Sequence, residues 1–204
     1  MIYTDVIYGS AEPEKIVIDR REFERRIGGE CSPDLPEIEA CRKVFDEKVS
    51  YRYAYARMEV TFPEEGICDF GCGIIESRDL YKNLRECRTA YMMGVTLGAG
   101  IDRLLKTLRI KSPAEHFITD ALASAAVESF CDIIDRSLRE NEMSRSMAVC
   151  RPRYSPGYGD CDIKNQRLLT ERINAGKTLG ISLNESCFMT PSKSVTAIMG
   201  IKNE

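Results

Sequence analysis

The residues best suited to bind a small polar molecule lie in the stretch 153–161, which reads Arg-Tyr-Ser-Pro-Gly-Tyr-Gly-Asp-Cys. Pro156 fixes φ, while Gly157 and Gly159 are permissive, so the backbone can turn tightly and approach a bound molecule closely. Arg153 adds a forked cation and Tyr158 adds a phenol, which together with exposed backbone groups suit a small zwitterionic ligand. By its own chemistry the stretch predicts only a tight turn.

Three carboxylates, those of Glu128, Asp132 and Asp135, recur along one stripe of a predicted helix. Periodicity alone favours a solvated acidic face, with Asp132 paired to Arg136 and Asp135 paired to Arg139. The first half of the same helix has a surface of small residues that lets a backbone or a flat ligand come close, although packing explains it equally well: Ala121, Ala123, Ala125 and Ala126.

The cysteines and the histidine limit the metal and redox chemistry that we expect. The chain has nine cysteines, an odd number without a C-x-x-C pair, and the closest two are Cys68 and Cys72. Reduced thiols that pack as small hydrophobes are favoured over a metal or cluster site. His116, the single histidine, lies near a helix start and excludes any mechanism that needs two imidazoles. We therefore expect no metal ligands.

A glycine-containing turn at residues 98–103 leads from an apolar strand into a helix. A phosphate-binding loop is one interpretation, but only two glycines are present, and Asp102 would place negative charge at the anion. The favoured interpretation is a tight turn in which Asp102 stabilises the helix start.

Helix and strand patterns alternate irregularly along the chain. Capping boxes that begin at Asp19 and Ser112, together with apolar periodicity and other capping patterns, predict helices at 19–29, 32–49, 77–87, 112–141 and 162–175. Strands are predicted at 51–60, 67–75, 91–97, 147–151, 181–189 and 194–201, with 16–18 as a short strand or an arm that packs on the core. The mixture favours an α+β fold, a largely antiparallel, curved sheet flanked by helices.

Composition narrows the class of protein further. A length of 204 residues fits a single domain, which we divide into an N-terminal arm and helices at 1–50 and a core at 51–204. The net charge of -3 argues against nucleic acid as a partner. The sequence has neither an apolar run long enough for a bilayer nor a signal-peptide pattern, so we expect no membrane association and a cytoplasmic location.

Several ordered motifs resemble the reactivation (activation) domain of cobalamin-dependent methionine synthase. The densest part of the resemblance is Arg153-x-x-Pro156-Gly157-Tyr158, then Cys161, then Gly180-Ile181-x-Leu183-x-Glu185-Ser186-x-x-Met189-x-Pro191-x-x-Ser194-Val195. Upstream, the 19–29 helix, Leu97-Gly98 with Ile101-Asp102, and Val127-Glu128-Ser129-Phe130 resemble members that occur as separate chains.

The resemblance implies a reactivation subunit that binds S-adenosylmethionine (AdoMet) and docks on the corrinoid-binding module of methionine synthase or a related methyltransferase. There, an electron from a redox protein converts the inactive Co(II) of the partner's cobalamin to Co(I), which takes the methyl group of AdoMet. Since the cofactor and the sulfonium supply the chemistry, the resemblance implies no catalytic residue in this chain, which needs only to position and shield its ligand.

The resemblance also implies roles for individual residues. Arg153 would pair with the AdoMet carboxylate, and the neighbouring loop would hold the adenosyl part: Ser155, Pro156, Gly157 and Tyr158. Glu185 and Ser186 would complete the AdoMet site. Five further residues would line the cleft or face the corrinoid: Glu128, Asp132, Met189, Pro191 and Ser194.

The sequence departs from the fused members of the family in two respects. Those members carry aromatic residues shortly after Ser-Val, where this chain has Ala197-Ile198-Met199-Gly200. The N-terminal acidic residue that meets the ligand's amino group in the fused domain has no assignable counterpart here. Two other functions therefore remain open: a protein that caps a corrinoid module without binding AdoMet, and a cysteine-based redox or metal protein.

Overall fold

The computed structural model describes residues 5–29, 35–144, 147–149 and 152–203. Its centre is a five-stranded sheet in which all neighbouring strands are antiparallel. In spatial order the strands are β1 (Ile7–Ala11), β2 (Tyr51–Glu59), β5 (Thr89–Thr96), β9 (Ser194–Asn203) and β6 (Met147–Val149). Two short hairpins lie outside it, β3 (Ile67–Asp69) with β4 (Ile74–Glu76), and β7 (Ser182–Leu183) with β8 (Met189–Thr190).

Helices pack on both faces of this sheet. One core contains side chains from α1 (Arg20–Ile27), α2 (Pro36–Lys48), α4 (Ala99–Lys111) and the long α5 (Pro113–Met143). The core on the opposite face contains side chains from α3 (Arg78–Leu84), α6 (Gln166–Arg172) and α7 (Ala175–Thr178). The predicted α+β class, with an antiparallel sheet between helices, is confirmed. Within the described ranges, no helix is both long and apolar enough to cross a membrane.

Strand periodicity explains how the sheet separates the two cores. Along β2, Tyr51 is buried in the α5-side core, and Tyr53 and Tyr55 pack against it. The alternate residues, including Ala54 and Met58, are buried in the other core. Successive side chains of a strand point to opposite faces, so this alternation predicts the placement of β2 correctly.

Local capping chemistry fixes α1 and α5, whose residues line the cavities described below. The Asp19 carboxylate accepts a hydrogen bond from the N–H of Glu22, and α1 ends at Gly28, whose φ of 92° is left-handed. The N–H of Asp19 itself donates to the Ser129 hydroxyl at 2.9 Å, which ties the start of α1 to α5. The Ser112 hydroxyl caps α5 by accepting from the N–H of Glu115, as the sequence predicts.

Some elements differ from the sequence predictions. Residues 16–18 are not a strand; Ile16 is buried, so the segment is the packing arm that was the alternative. Helix α2 begins at Pro36, behind the N-cap Leu35, whereas the predicted start at residues 32–33 lies outside the described residues. The predicted strand 67–75, in which Gly71 and Gly73 indicate a bulge or tight bend, is the β3–β4 hairpin, because the chain reverses around Gly71, where φ is 74°.

The strand predicted at 194–201 is present as β9, but two other predictions of long elements near the C-terminus were wrong. The predicted helix 162–175 is a 3₁₀ turn, Ile163–Asn165, followed by α6 and α7, which are separated at Asn174, where φ is 51°. The predicted strand 181–189 is the pair of two-residue strands β7 and β8. Between them, the Asn184 side chain accepts from the N–H of Phe188 and closes the turn.

Candidate functional site

The stretch 153–161 is held against the edge of the sheet before it turns. Tyr154 exchanges both backbone hydrogen bonds with Ile198 of β9, at 2.9 and 2.8 Å. The chain then reverses, and the N–H of Gly157 donates to the carbonyl of Cys161 at 2.8 Å. At Gly159, where φ is 53°, an added Cβ would lie 2.5 Å from the Asp79 carboxylate and 2.6 Å from the Tyr154 hydroxyl. The predicted tight turn is present, and the left-handed φ at position 159 favours glycine.

Asp160 anchors this turn to the start of α3. Its carboxylate accepts hydrogen bonds from the Ser77 hydroxyl at 2.5 Å and from the N–H groups of Arg78 and Asp79 at 2.8 and 3.2 Å. These bonds to the charged form, with Ser77 the largest cause, lower the pKa of Asp160. The turn is therefore held at both ends, by β9 and by α3.

Beneath the turn lies a cavity of about 420 Å³, a size typical of small-molecule sites. It lies between the turn, α5, α6 and the start of β9, and twelve residues line it: Glu128, Arg153, Tyr154, Ser155, Pro156, Tyr158, Ile163, Gln166, Met189, Ser194, Val195 and Thr196. We call this cavity the cleft. Seven of the residues predicted from sequence line it, and Tyr154, Ile163, Gln166, Val195 and Thr196 were not predicted.

Arg153 forms the charged wall of the cleft. Its Nη2 lies 2.8 Å from Asp132 Oδ1 and 3.9 Å from Glu128 Oε2, and its side chain is 19% exposed. Asp132 therefore pairs with Arg153 across the site, whereas helical periodicity predicted Arg136 as its partner. Asp135 does pair with Arg139, at 2.8 Å, as expected. A guanidinium has five N–H donors, so Arg153 retains the capacity to bind a carboxylate while Asp132 orients it.

The remaining predicted site residues lie around the cleft rather than on its wall. Glu185 and Ser186 are exposed in the β7–β8 turn and are not among the lining residues. Gly157 lies in the turn above the cleft, where its φ is 93°. The carbonyl of Pro191 accepts a hydrogen bond from Ser194 at 2.8 Å, so this proline supports the floor.

A second cavity, of about 550 Å³, adjoins the cleft. The two share Glu128 and Tyr158, whose side chain is 70% exposed. Its other lining residues come from α1, from the N-cap of α1 and from α5: Asp19, Arg21, Glu22, Arg25, Arg26, Ser129 and Asp132. An N-terminal acidic residue, Asp19, is thus brought to the neighbourhood of the cleft, which no local sequence pattern indicated.

The floor of the cleft is fixed by polar contacts that link it to two helices, α6 and α5. The Thr196 hydroxyl donates to Gln166 Oε1 at 2.9 Å, and Gln166, the first residue of α6, is only 4% exposed. Lys193 contacts Asp120 and Ser124 of α5 at 2.8 and 2.7 Å. These contacts hold the beginning of β9 in place.

The glycine-containing turn before α4 has a structural explanation. Asp102 accepts hydrogen bonds from the N–H and the hydroxyl of Ser192, both at 2.9 Å, and so also holds the segment before β9. A Cβ at Gly100 would lie 2.2 Å from the carbonyl oxygen of Lys48, so close packing against the end of α2 requires glycine there. The tight-turn interpretation accounts for this stretch better than a phosphate loop.

Burial makes several thiols poor nucleophiles. It raises the pKa of Cys68 and of Cys131 to about 12, and it is also the main cause of the raised pKa of Cys41 and Cys161. For Cys131, burial outweighs the opposing effect of the Arg153 guanidinium. Among the described residues, no group of three potential ligands could hold a metal ion. Protonated thiols at neutral pH favour the packing interpretation over a redox role.

Comparisons with known proteins agree with this fold. No curated protein sequence matches the chain. The crystal structure of the MetH reactivation domain bound to AdoHcy is similar, with a TM-score of 0.62 and 15% sequence identity, covering 96% of this chain and 78% of that chain. At this identity the likeness shows the fold. The family model described as vitamin B12 dependent methionine synthase, activation domain, matches residues 84–204, more than half of the chain, and the chain therefore belongs to this family.

Proposed function

We propose that this chain binds AdoMet in the cleft and serves a corrinoid protein as its reactivation subunit. The observation that supports this most strongly is the placement of Arg153 and Glu128 on one wall of a cavity of about 420 Å³. Arg153 would bind the α-carboxylate of the amino acid part, and Glu128 would face its α-ammonium group. A guanidinium and a carboxylate 3.9 Å apart match the opposite charges of a zwitterion.

The reaction that we propose requires little chemistry from this chain. The partner's cobalamin, reduced from Co(II) to Co(I) by one electron from a redox protein, would supply the nucleophile that takes the sulfonium methyl group and leaves S-adenosylhomocysteine (AdoHcy). The chain's own residues would bind and orient AdoMet and exclude water. The buried Pro156 and the exposed Tyr158 beside it would form the rim through which the methyl group faces the partner. We place this activity in the cytoplasm.

The partner would be the corrinoid-binding module of a methionine synthase or a related methyltransferase. Family membership supports this choice. The adjoining cavity also supports this choice of partner. It opens to the surface near α1 and shares Tyr158 with the cleft, so a docked module would cover both openings at once.

Calorimetric titration with AdoMet tests the proposal. We expect one binding site in the wild type, and a loss of about 100-fold or more in Arg153→Ala, because the ligand carboxylate would then lack its charged partner. Arg139→Ala is the matched control, since Arg139 pairs with Asp135 of the same helix but does not line the cleft. It should bind like the wild type.

The same titration decides between the proposal and a corrinoid-capping protein that binds no AdoMet. A folded wild type that releases or absorbs no heat with AdoMet or AdoHcy, but still associates with a Co(II) corrinoid module, would favour the capping function.

A further inference from the structure

A separate cavity, of about 370 Å³, lies between α2, α4 and α5 and has no lining residue in common with the cleft. We call it the α2 cavity. Its apolar walls come from one stripe of α2 and from α4: Pro36, Ala40, Val44 and Leu108. The α2 members recur at i, i+4 spacing, so they share one face of that helix. A mostly apolar cavity of this size is typical of a site for a small organic molecule.

Thr119 of α5 places an unsatisfied polar group at the floor of the α2 cavity. Its side chain is 1% exposed, and its Oγ1 has no hydrogen-bond partner of normal geometry among the described residues. The Cys41 thiol beside it is a weak hydrogen-bonding group, and the Cys41 sulfur itself lies 4.0 Å from the carbonyl oxygen of Glu115. Burial of an unpaired hydroxyl is unfavourable, so a ligand that offers Thr119 a hydrogen bond would be stabilised there.

Two carboxylates, those of Glu37 and Glu115, line the mouth of the same cavity. Both residues are exposed, in contrast to the buried Thr119. Within the part of the chain that the structure describes, neither carboxylate forms an ion pair. Two negative charges near one opening attract a cation and repel an anion. The cavity therefore offers an apolar middle, a hydroxyl at its floor and negative charge at its mouth.

We propose that the α2 cavity is a second binding site, for a small organic amine that has an apolar body and one hydroxyl group. The body would pack against the apolar stripe of α2, with the ammonium group at Glu37 and Glu115 and the hydroxyl bonded to Thr119. One helical turn, about 5.4 Å, separates Glu115 from Thr119, which suits a body about as long as one six-membered ring. This site goes beyond the proposed function, because it shares no residue with the cleft.

Tyramine, a phenol with an ethylammonium arm, is a suitable probe. It should shift the methyl resonances of Val44 and Leu108, which line the cavity, in ¹H–¹³C NMR spectra. Phenethylamine lacks the hydroxyl and should bind about threefold to tenfold more weakly. In 4-hydroxyphenylacetate a carboxylate replaces the ammonium group, and this anion should bind more weakly still. Unshifted methyl resonances at millimolar tyramine, or equal binding of the anion, would overturn the inference.

Thr119→Val keeps the shape of the side chain but removes its hydroxyl. Tyramine should bind this variant no better than phenethylamine does. The variant should melt at or above the temperature of the wild type, because it removes an unpaired buried hydroxyl. A lower melting temperature would mean that Thr119 already has a partner, and equal tyramine affinity in the variant and the wild type would mean that the ligand does not reach it. Either result would overturn the inference.

Ala40→Phe tests where the probe binds, because the larger side chain should fill the cavity and abolish the tyramine shifts. Lys43→Phe, which adds the same side chain at an exposed position of α2 outside the cavity, is the matched control and should keep them. Tyramine shifts that persist in Ala40→Phe would overturn the inference. Both variants should bind AdoMet like the wild type, so failure of the AdoMet site and failure of the α2 cavity are distinguishable.

Discussion

The turn at residues 153–161 and the β7–β8 hairpin both carry motif residues that resemble the reactivation domain, yet the two segments contribute differently to the cleft wall. The turn is bonded to β9 and α3 and places Arg153, Ser155, Pro156 and Tyr158 on the cleft wall. The hairpin contributes Met189 to that wall and leaves Glu185 and Ser186 exposed. Two motifs that look alike in sequence therefore differ in how close they lie to a ligand.

The difference arises from how each segment is anchored. Asp160 and the Tyr154 backbone hold the turn from both sides, so its side chains keep one orientation over the cleft. The hairpin is closed by its own hydrogen bond between Asn184 and Phe188. It supports the floor of the cleft through the residues that follow it, where Ser194 donates a hydrogen bond to the carbonyl of Pro191. We infer that the turn determines affinity, whereas the hairpin mainly supports the floor.

The largest effect is expected at Gly159. Gly159→Ala should lower the free energy of unfolding by about 2 kcal/mol, because the left-handed φ and the contact with Asp79 both oppose a side chain. Gly28→Ala is the matched control. Gly28 has a φ of 92° but nothing within 4 Å of an added Cβ, so its cost should be about 1 kcal/mol or less. Urea unfolding of both variants measures the difference, and equal costs would show that the turn is not tightly held.

The second largest effect is expected at Glu128, the carboxylate on the cleft wall. Glu128→Gln should weaken AdoMet binding about tenfold, because the amide cannot offer a charge to the ligand's ammonium group. Glu140→Gln, near the end of the same helix and outside the cleft, should leave affinity unchanged. Calorimetry at one ionic strength measures the AdoMet affinity of both variants. Unchanged binding in Glu128→Gln would assign the ammonium to another carboxylate beside the cleft, for which Asp132 and Asp19 are candidates.

A third, smaller effect is a pH dependence of stability at Asp160. Its folded pKa is lowered, so its contribution is fully present above the unfolded pKa of about 4 and is lost as the pH falls through the folded pKa. The wild type should therefore melt at a higher temperature than Asp160→Asn from pH 8 to 5. Below about pH 4 the two melting temperatures should converge. A difference that persists in acid would mean that the carboxylate's charge is not what holds the turn to α3.

The smallest effect is expected in the hairpin. Glu185→Ala and Ser186→Ala should each change AdoMet affinity by less than about twofold, since exposed side chains outside the cleft contribute little. Met189→Ala, in the same hairpin but on the cleft wall, provides the comparison and should weaken binding by more. A loss at Glu185 larger than that at Met189 would mean that the hairpin closes onto the ligand.

The sequence predicted those elements whose residues carry strong local signals. It did not predict features that depend on the rest of the fold. The caps at Asp19 and Ser112 and the alternation of β2 depend on neighbouring residues, and all three were predicted correctly. The helix predicted over 162–175 is interrupted at Asn174, and no local sequence pattern indicated this interruption.

The same distinction applies to the cleft. The turn around Pro156 was predicted from its composition. Gln166 was not, because its role depends on a hydrogen bond to Thr196, which lies on a strand thirty residues later. Asp132 was expected to pair within its own helix, and the competing partner, Arg153, reaches it only through the fold.

Reactivation can be followed in the cobalt spectrum of a cobalamin-dependent methionine synthase that lacks its own activation domain. The Co(II) form would be mixed with this chain, a one-electron reductant and AdoMet. We expect a methyl-Co(III) spectrum with the wild type and with Arg139→Ala, and a markedly slower change with Arg153→Ala. A spectrum that stays Co(II) with folded, AdoMet-bound wild type, or one that changes equally fast with Arg153→Ala, would contradict the proposed function.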